Sequence, residues 1–162
     1  MKLAPVTLAG SLCLSLSLGP AAAAQAGTAS GSTALALAGV IARMSPQLTS
    51  AEKKAMSMLF SANSDVPYKK PILVTADKIM CRTSNVDITA RSCEVSFGKK
   101  VKTVNGPSAN EIFATAALAG VAADGAAGSN FESISKLKCT IDPNAILQKD
   151  GSGADCTFEA GN

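Results

Sequence analysis

Activation of a serine hydroxyl is the first chemistry this chain's residue types suggest. Ser-x-x-Lys recurs at Ser50/Lys53, Ser96/Lys99, Ser133/Lys136 and Ser135/Lys138, and a lysine amine can serve as base to a serine where histidine is missing. Histidine is absent from all 162 residues. That removes the commonest general base, the Ser-His and Cys-His nucleophile pairs and the commonest metal ligand. Spacing then weighs against the serine–lysine pairs. Residues i and i+3 of a strand face opposite sides, so the copies at Ser96, Ser133 and Ser135, which fall in strand-like sequence, cannot bring hydroxyl to amine. Ser50 belongs to the first turn of a capped, exposed helix. The acidic residues are spread over surface positions and form no dyad. No catalytic residue is expected, and the chain reads as a non-enzyme.

Four cysteines, Cys81, Cys93, Cys139 and Cys156, are the next reactive set. Eleven residues separate the first two and sixteen the last two, whereas a four-cysteine zinc site uses closely spaced ligand pairs. No Cys-x-x-Cys is present to suggest redox catalysis. Two disulfides, Cys81 with Cys93 and Cys139 with Cys156, are the expected use, each contributing roughly 3 kcal/mol in the chain-entropy model. Asp142, Asn144, Asp150 and Asp155 lack the spacing of a calcium loop and read as turn residues. Gly125-Ala126-Ala127-Gly128 follows a helix instead of opening one, so no phosphate-binding loop is indicated. No metal or cofactor is expected.

One patch is chemically distinctive. Lys69 and Lys70 precede the first predicted strand of the cysteine-bearing region, and Lys99, Lys100 and Lys102 follow the second. If Cys81 opposes Cys93, paired residue numbers sum to 174, Ile79 meets Val95, and Lys102 falls opposite Ile72. Five lysines would then gather at one edge, a candidate binding edge for an acidic partner. The competing reading is that they solvate and protect a sheet edge. The same register sets Asp77 against Phe97, which a core face would not want.

Several elements must position these groups. Lys2, an apolar run from Leu3 to Leu18 and small residues around Ala21 to Ala26 read as a signal peptide over residues 1–26, cleaved after Ala24 or Ala26. Pro5 and Gly10 interrupt the run, and it falls short of the roughly 20 apolar residues a membrane span needs. Removal takes away Cys13 and leaves an even four cysteines, as befits an oxidising compartment. Of fifteen Lys and Arg, losing Lys2 leaves fourteen against twelve Asp and Glu, a net charge of +2. So mild a balance gives no reason to expect nucleic acid.

Residues 27–65 read as a flexible leader, Gly27 to Ser32, followed by two helices. Leu37, Val40, Ile41 and Met44 repeat at helical spacing until Pro46, and Thr49-Ser50-Ala51-Glu52 forms a capping box ahead of Ala55, Met58, Leu59 and Ala62. Residues 66–162 read as the disulfide-stapled domain. Its strands run from Ile72 to Arg82 and through Cys93, Val95 and Phe97, with a short piece from Val101 to Val104 that continues or turns back. Ser108 and Glu111 suggest a second capping box, for a helix from Ala109 to about Ala122 presenting Ile112, Phe113, Ala116 and Gly120. Strands near Phe131 to Ile141 and Ala154 to Glu159 follow. Pairing Cys139 with Cys156 sets Leu137 against Phe158 and Lys136 against Glu159.

The expected fold is α+β: an N-terminal helical hairpin, then an antiparallel sheet of four or five strands with one helix on a face. The expected function is that of an exported, periplasmic or secreted, non-catalytic binding or inhibitor-like module. Its partner would be a protein or an acidic component of a bacterial cell envelope. Two other readings stand beside it: a structural envelope protein associating through its N-terminal helices, and a histidine-independent enzyme.

Overall fold

The structure, a computed structural model, describes residues 25–61, 66–83, 91–120, 133–147 and 153–161. The expected signal segment up to Ala24, including Cys13, lies outside them. Strands β1 (Gln25–Ser30), β2 (Ile72–Thr83), β3 (Arg91–Phe97), β4 (Lys100–Asn105), β5 (Ser133–Ile141) and β6 (Ala154–Gly161) form one sheet in the order β1-β6-β5-β2-β3-β4. Every neighbouring pair is antiparallel. The class is α+β with two disulfides, as expected, but the sheet has six strands instead of four or five.

Both additional strands have local causes. The segment Gly27 to Ser32, expected as a flexible leader, is strand β1 running into helix α1 (Gly31–Met44). Its small residues serve close packing: Gly27 pairs with Phe158 of β6, and the Phe158 ring fills the space a Cβ on Gly27 would need. The piece after Gly98 turns back as β4, because Gly98 takes φ 60°, a conformation open to glycine at little cost.

Helix α1 docks directly on the sheet. Leu37 and Ile41 of α1 and Ile112 of α3 (Pro107–Leu118) are fully buried in a core shared with Ile72, Ile79, Ile134 and Ile141. Each such side chain contributes about 1.5–3 kcal/mol by leaving water. Helix α2 (Ser50–Phe60) packs on α1 and on the short helix α4 (Pro143–Leu147), burying Ala55, Met56 and Leu59. Its capping box forms as expected: Glu52 N–H donates to Thr49 Oγ1 at 3.3 Å, and Thr49 N–H to Glu52 Oε2 at 2.8 Å.

The second capping box does not form. Gly106 is the N-cap of α3 and Pro107 its first residue, so Ser108 lies inside the first turn. Glu111 is drawn instead to Arg43 of α1. The buried face of α3 is Ala109, Ile112, Thr115 and Ala116, with Phe113 at its margin and Gly120 exposed.

Candidate functional site

The cysteines pair as expected. Cys81–Cys93 joins β2 to β3 and Cys139–Cys156 joins β5 to β6, each between directly opposed residues with Cα atoms 4.0 Å apart. Both lie under the helices: Cys93 Sγ is 3.5 Å from the Ala109 carbonyl of α3, and Cys156 Sγ is 3.5 Å from the Ala34 carbonyl of α1. All four cysteines are at most 1% exposed.

The β2–β3 register matches expectation as far as Lys78↔Ser96 and includes Ile79↔Val95, and there the pairing stops. The Asp77–Phe97 conflict is resolved by a change of phase. Ile72, Val74 and Ala76 face the core below Asp77, and Ile79 and Cys81 face it above. Strand β5 makes the matching change at Lys136, whose φ is 52°, and its register to β6 shifts between Ser135 and Lys138. The offset removes Lys136 from the ladder position opposite Glu159, yet the two still form an ion pair at 2.9 Å. Asp77 turns outward, and its Oδ2 accepts from the Gly98 N–H at the β3–β4 turn.

This turn decides where the lysines lie. Lys100 pairs with Phe97 and Lys102 with Val95, so Lys102 is nowhere near its expected place opposite Ile72. Lys99, Lys100 and Lys102 share the exposed β3–β4 hairpin, beside Asp77. Lys69 and Lys70, also exposed, precede the far end of β2, where the Lys69 carbonyl accepts from Asn144 Nδ2 at 2.9 Å. Ile72 and Asp77 are separated by about 17 Å at 3.3 Å per residue. The five lysines therefore form two groups at the ends of an open length of β2. The sheet is stepped, since β3 and β4 flank only its upper part.

Sequence reasoning missed this step because the clue was a misfit: an aspartate falling opposite a phenylalanine marked where the ladder would break. It also missed Gln47, in the turn between α1 and α2, whose Oε1 accepts from the Thr75 hydroxyl at 2.7 Å on this part of β2. Nearby, Tyr68 donates to Glu52 Oε1 at 3.1 Å. Hydrogen bonds from the Thr49 backbone and side chain hold the Glu52 carboxyl below its usual pKa, while partial burial and then the bond to Glu52 raise that of Tyr68.

The other candidates are engaged elsewhere. Ser135 donates to the Glu159 carbonyl at 3.4 Å and Lys136 pairs with the Glu159 carboxylate. Asp142 accepts from the Asn144 backbone N–H at 2.9 Å, as a turn residue does, and Asp150 lies outside the described residues. Among the described residues no three Cys, Asp or Glu side chains gather as metal ligands. A cleft of about 220 Å³ between α1 and α2 is lined by Gly39, Arg43, Lys53, Met56 and Phe60, among others. Arg91 links β3 to α3, its guanidinium 4.1 Å above the Phe113 ring and donating to Asn110 at 3.3 Å.

Comparison with protein-family models, curated proteins and solved structures finds no match to this chain. Among the described residues no helix is long and apolar enough to cross a membrane. The two disulfides are compatible with an oxidising, extracytoplasmic setting.

Proposed function

We propose that this chain is an exported, periplasmic or secreted, non-catalytic binding module that holds an acidic protein or polymer by its sheet edge. The observation that carries the reading is the β3–β4 hairpin. Lys99, Lys100 and Lys102 are all exposed there, on the last strand of the sheet, and none is paired to a carboxylate among the described residues. A disulfide-tied sheet that presents three exposed lysines against the single nearby carboxylate of Asp77 offers an anionic partner a preformed surface with little ordering cost.

The alternative of association through the N-terminal helices finds less support, because the apolar stripe of α1 is spent on the core. Deleting residues 27–65 would therefore unfold the sheet rather than leave it intact.

The test is titration of the oxidised chain with polyglutamate, followed by isothermal calorimetry, alongside a variant carrying Lys99→Glu, Lys100→Glu and Lys102→Glu. Saturable binding at physiological salt that the variant loses supports the reading. Equal binding by both, or none by either, sinks it.

A further inference from the structure

Resting on that reading, we propose that the open length of β2, Ile72 to Ala76, accepts an extended acidic segment of another protein as an added strand. The backbone geometry makes the edge available. Cys139 and Cys156, with Cα atoms 4.0 Å apart, have the close spacing of a non-hydrogen-bonded antiparallel pair. The N–H and C=O of Cys139 therefore turn to its other neighbour, β2, where it meets Val74. Because these groups alternate along a strand, Ile72, Val74 and Ala76 bond to β5, and the N–H and C=O of Leu73 and Thr75 turn to the opposite edge. On that edge the β3 ladder ends at Lys78, so among the described residues no strand lies beside Leu73 or Thr75.

The chemistry of the opening selects its occupant. Ile-Leu-Val-Thr-Ala carries no charge and is rich in strand-forming residues. Leu73, paired with Thr140 of β5 on one side, is 49% exposed and has no cross-strand neighbour on the other side among the described residues. Lys69 and Lys70 stand at one end and Lys99 and Lys100 at the other, bracketing about 17 Å, the length of five extended residues. A peptide with a short uncharged centre and acidic ends matches this surface in length, hydrogen bonding and charge. The outer edge of β4 (Lys100–Asn105) is the competing site, and the pattern of amide exchange distinguishes the two. Gln47, bonded to the Thr75 hydroxyl, sits beside the opening and is the side chain an added strand would meet first.

The probe is the fluorescein-labelled peptide Asp-Glu-Val-Thr-Val-Thr-Glu-Asp, with a control in which every acid is lysine. Binding is read by anisotropy, and the site by amide hydrogen exchange of the complex. The acidic peptide is expected to bind and to slow exchange at Leu73 and Thr75 by about tenfold or more, as hydrogen bonding does to an open amide. Combined Lys70→Glu and Lys99→Glu should weaken it by about tenfold through the loss of charge complementarity. Thr75→Pro removes an outward amide, a change an open edge tolerates, and should abolish binding with the circular dichroism unchanged. If that variant misfolds, the exchange pattern of the unaltered chain still decides. Protection at Val101 and Thr103 instead, or at neither edge while the peptide binds, overturns the β2 site and leaves the binding-module reading standing. Failure of both the acidic peptide and polyglutamate to bind overturns both.

Discussion

Arg43 and Glu111, 68 residues apart, meet in a two-pronged pair: Nη1 donates to Oε2 at 3.0 Å and Nη2 to Oε1 at 2.8 Å. The pair closes the seam between α1 and α3 on their solvent side. Its side chains are 60% and 41% exposed, so water screens most of the attraction. A double-mutant cycle with Arg43→Met and Glu111→Gln should give a coupling of about 0.5–1 kcal/mol in urea unfolding, shrinking in high salt.

Burial of the disulfides controls their chemistry. Because Cys81, Cys93, Cys139 and Cys156 are at most 1% exposed, a thiol reductant reaches them only when the chain opens. Mass spectrometry should show both bonds intact after hours in millimolar dithiothreitol and reduced within minutes once urea is added. With sequence separations of 12 and 17, replacing either pair by alanine should cost about 3 kcal/mol in the chain-entropy model.

Stability should respond to pH through Glu52. Its folded pKa is lowered by the hydrogen bonds from Thr49, so the folded chain binds this proton more weakly than the unfolded chain. The contribution is fully present above the ordinary glutamate range and is lost as pH falls through the depressed folded value. Glu52→Gln should flatten that acid limb in urea unfolding followed across pH. Tyr68 has the opposite sense: its raised pKa favours the fold below the usual tyrosine value, and that gain is lost as pH rises through the folded value. Thr49→Ala, which removes the cap itself, should cost about 1 kcal/mol at neutral pH.

Gly27 and Gly39 both lie against an aromatic ring, and the same kind of substitution should act differently on them. The Phe158 ring over Gly27 is 4% exposed and has nowhere to go, so Gly27→Val should cost roughly 1–3 kcal/mol by overpacking. The Phe60 ring over Gly39 is 43% exposed and can swing outward. Gly39→Ala should therefore be close to neutral, a helix-propensity gain of about 1 kcal/mol offsetting the displaced ring. Thermal unfolding of the two variants checks the contrast.

Local signals in the sequence were reliable where a single physical cause acted. Thr49 and Glu52 make a self-contained cap, and close to each cysteine pair the alternating apolar sequence fixes the local register. Such signals misled where a distant partner decided the outcome. Gly27 to Ser32 has a linker's composition because the bulk it lacks is supplied by Phe158, more than a hundred residues later. Ser108 and Glu111 have the spacing of a cap, but Gly106-Pro107 starts the helix earlier and Arg43 takes the carboxylate. The lysine patch was half legible: the strands that carry it were visible, whereas the turn at Gly98 that divides it rests on one glycine and one outward aspartate.

The pairing of β1 with β6 has a consequence for biogenesis. Strand β6 lies between β5 and β1, so one of its neighbours is among the earliest described residues to be synthesised and the other among the latest. Until Ala154–Gly161 emerges, β1 has no strand to join, Phe158 cannot cover Gly27, and Cys139 has no partner thiol. Assembly of this half of the sheet is therefore held back until β6 is made, and contacts this distant in sequence make it slow.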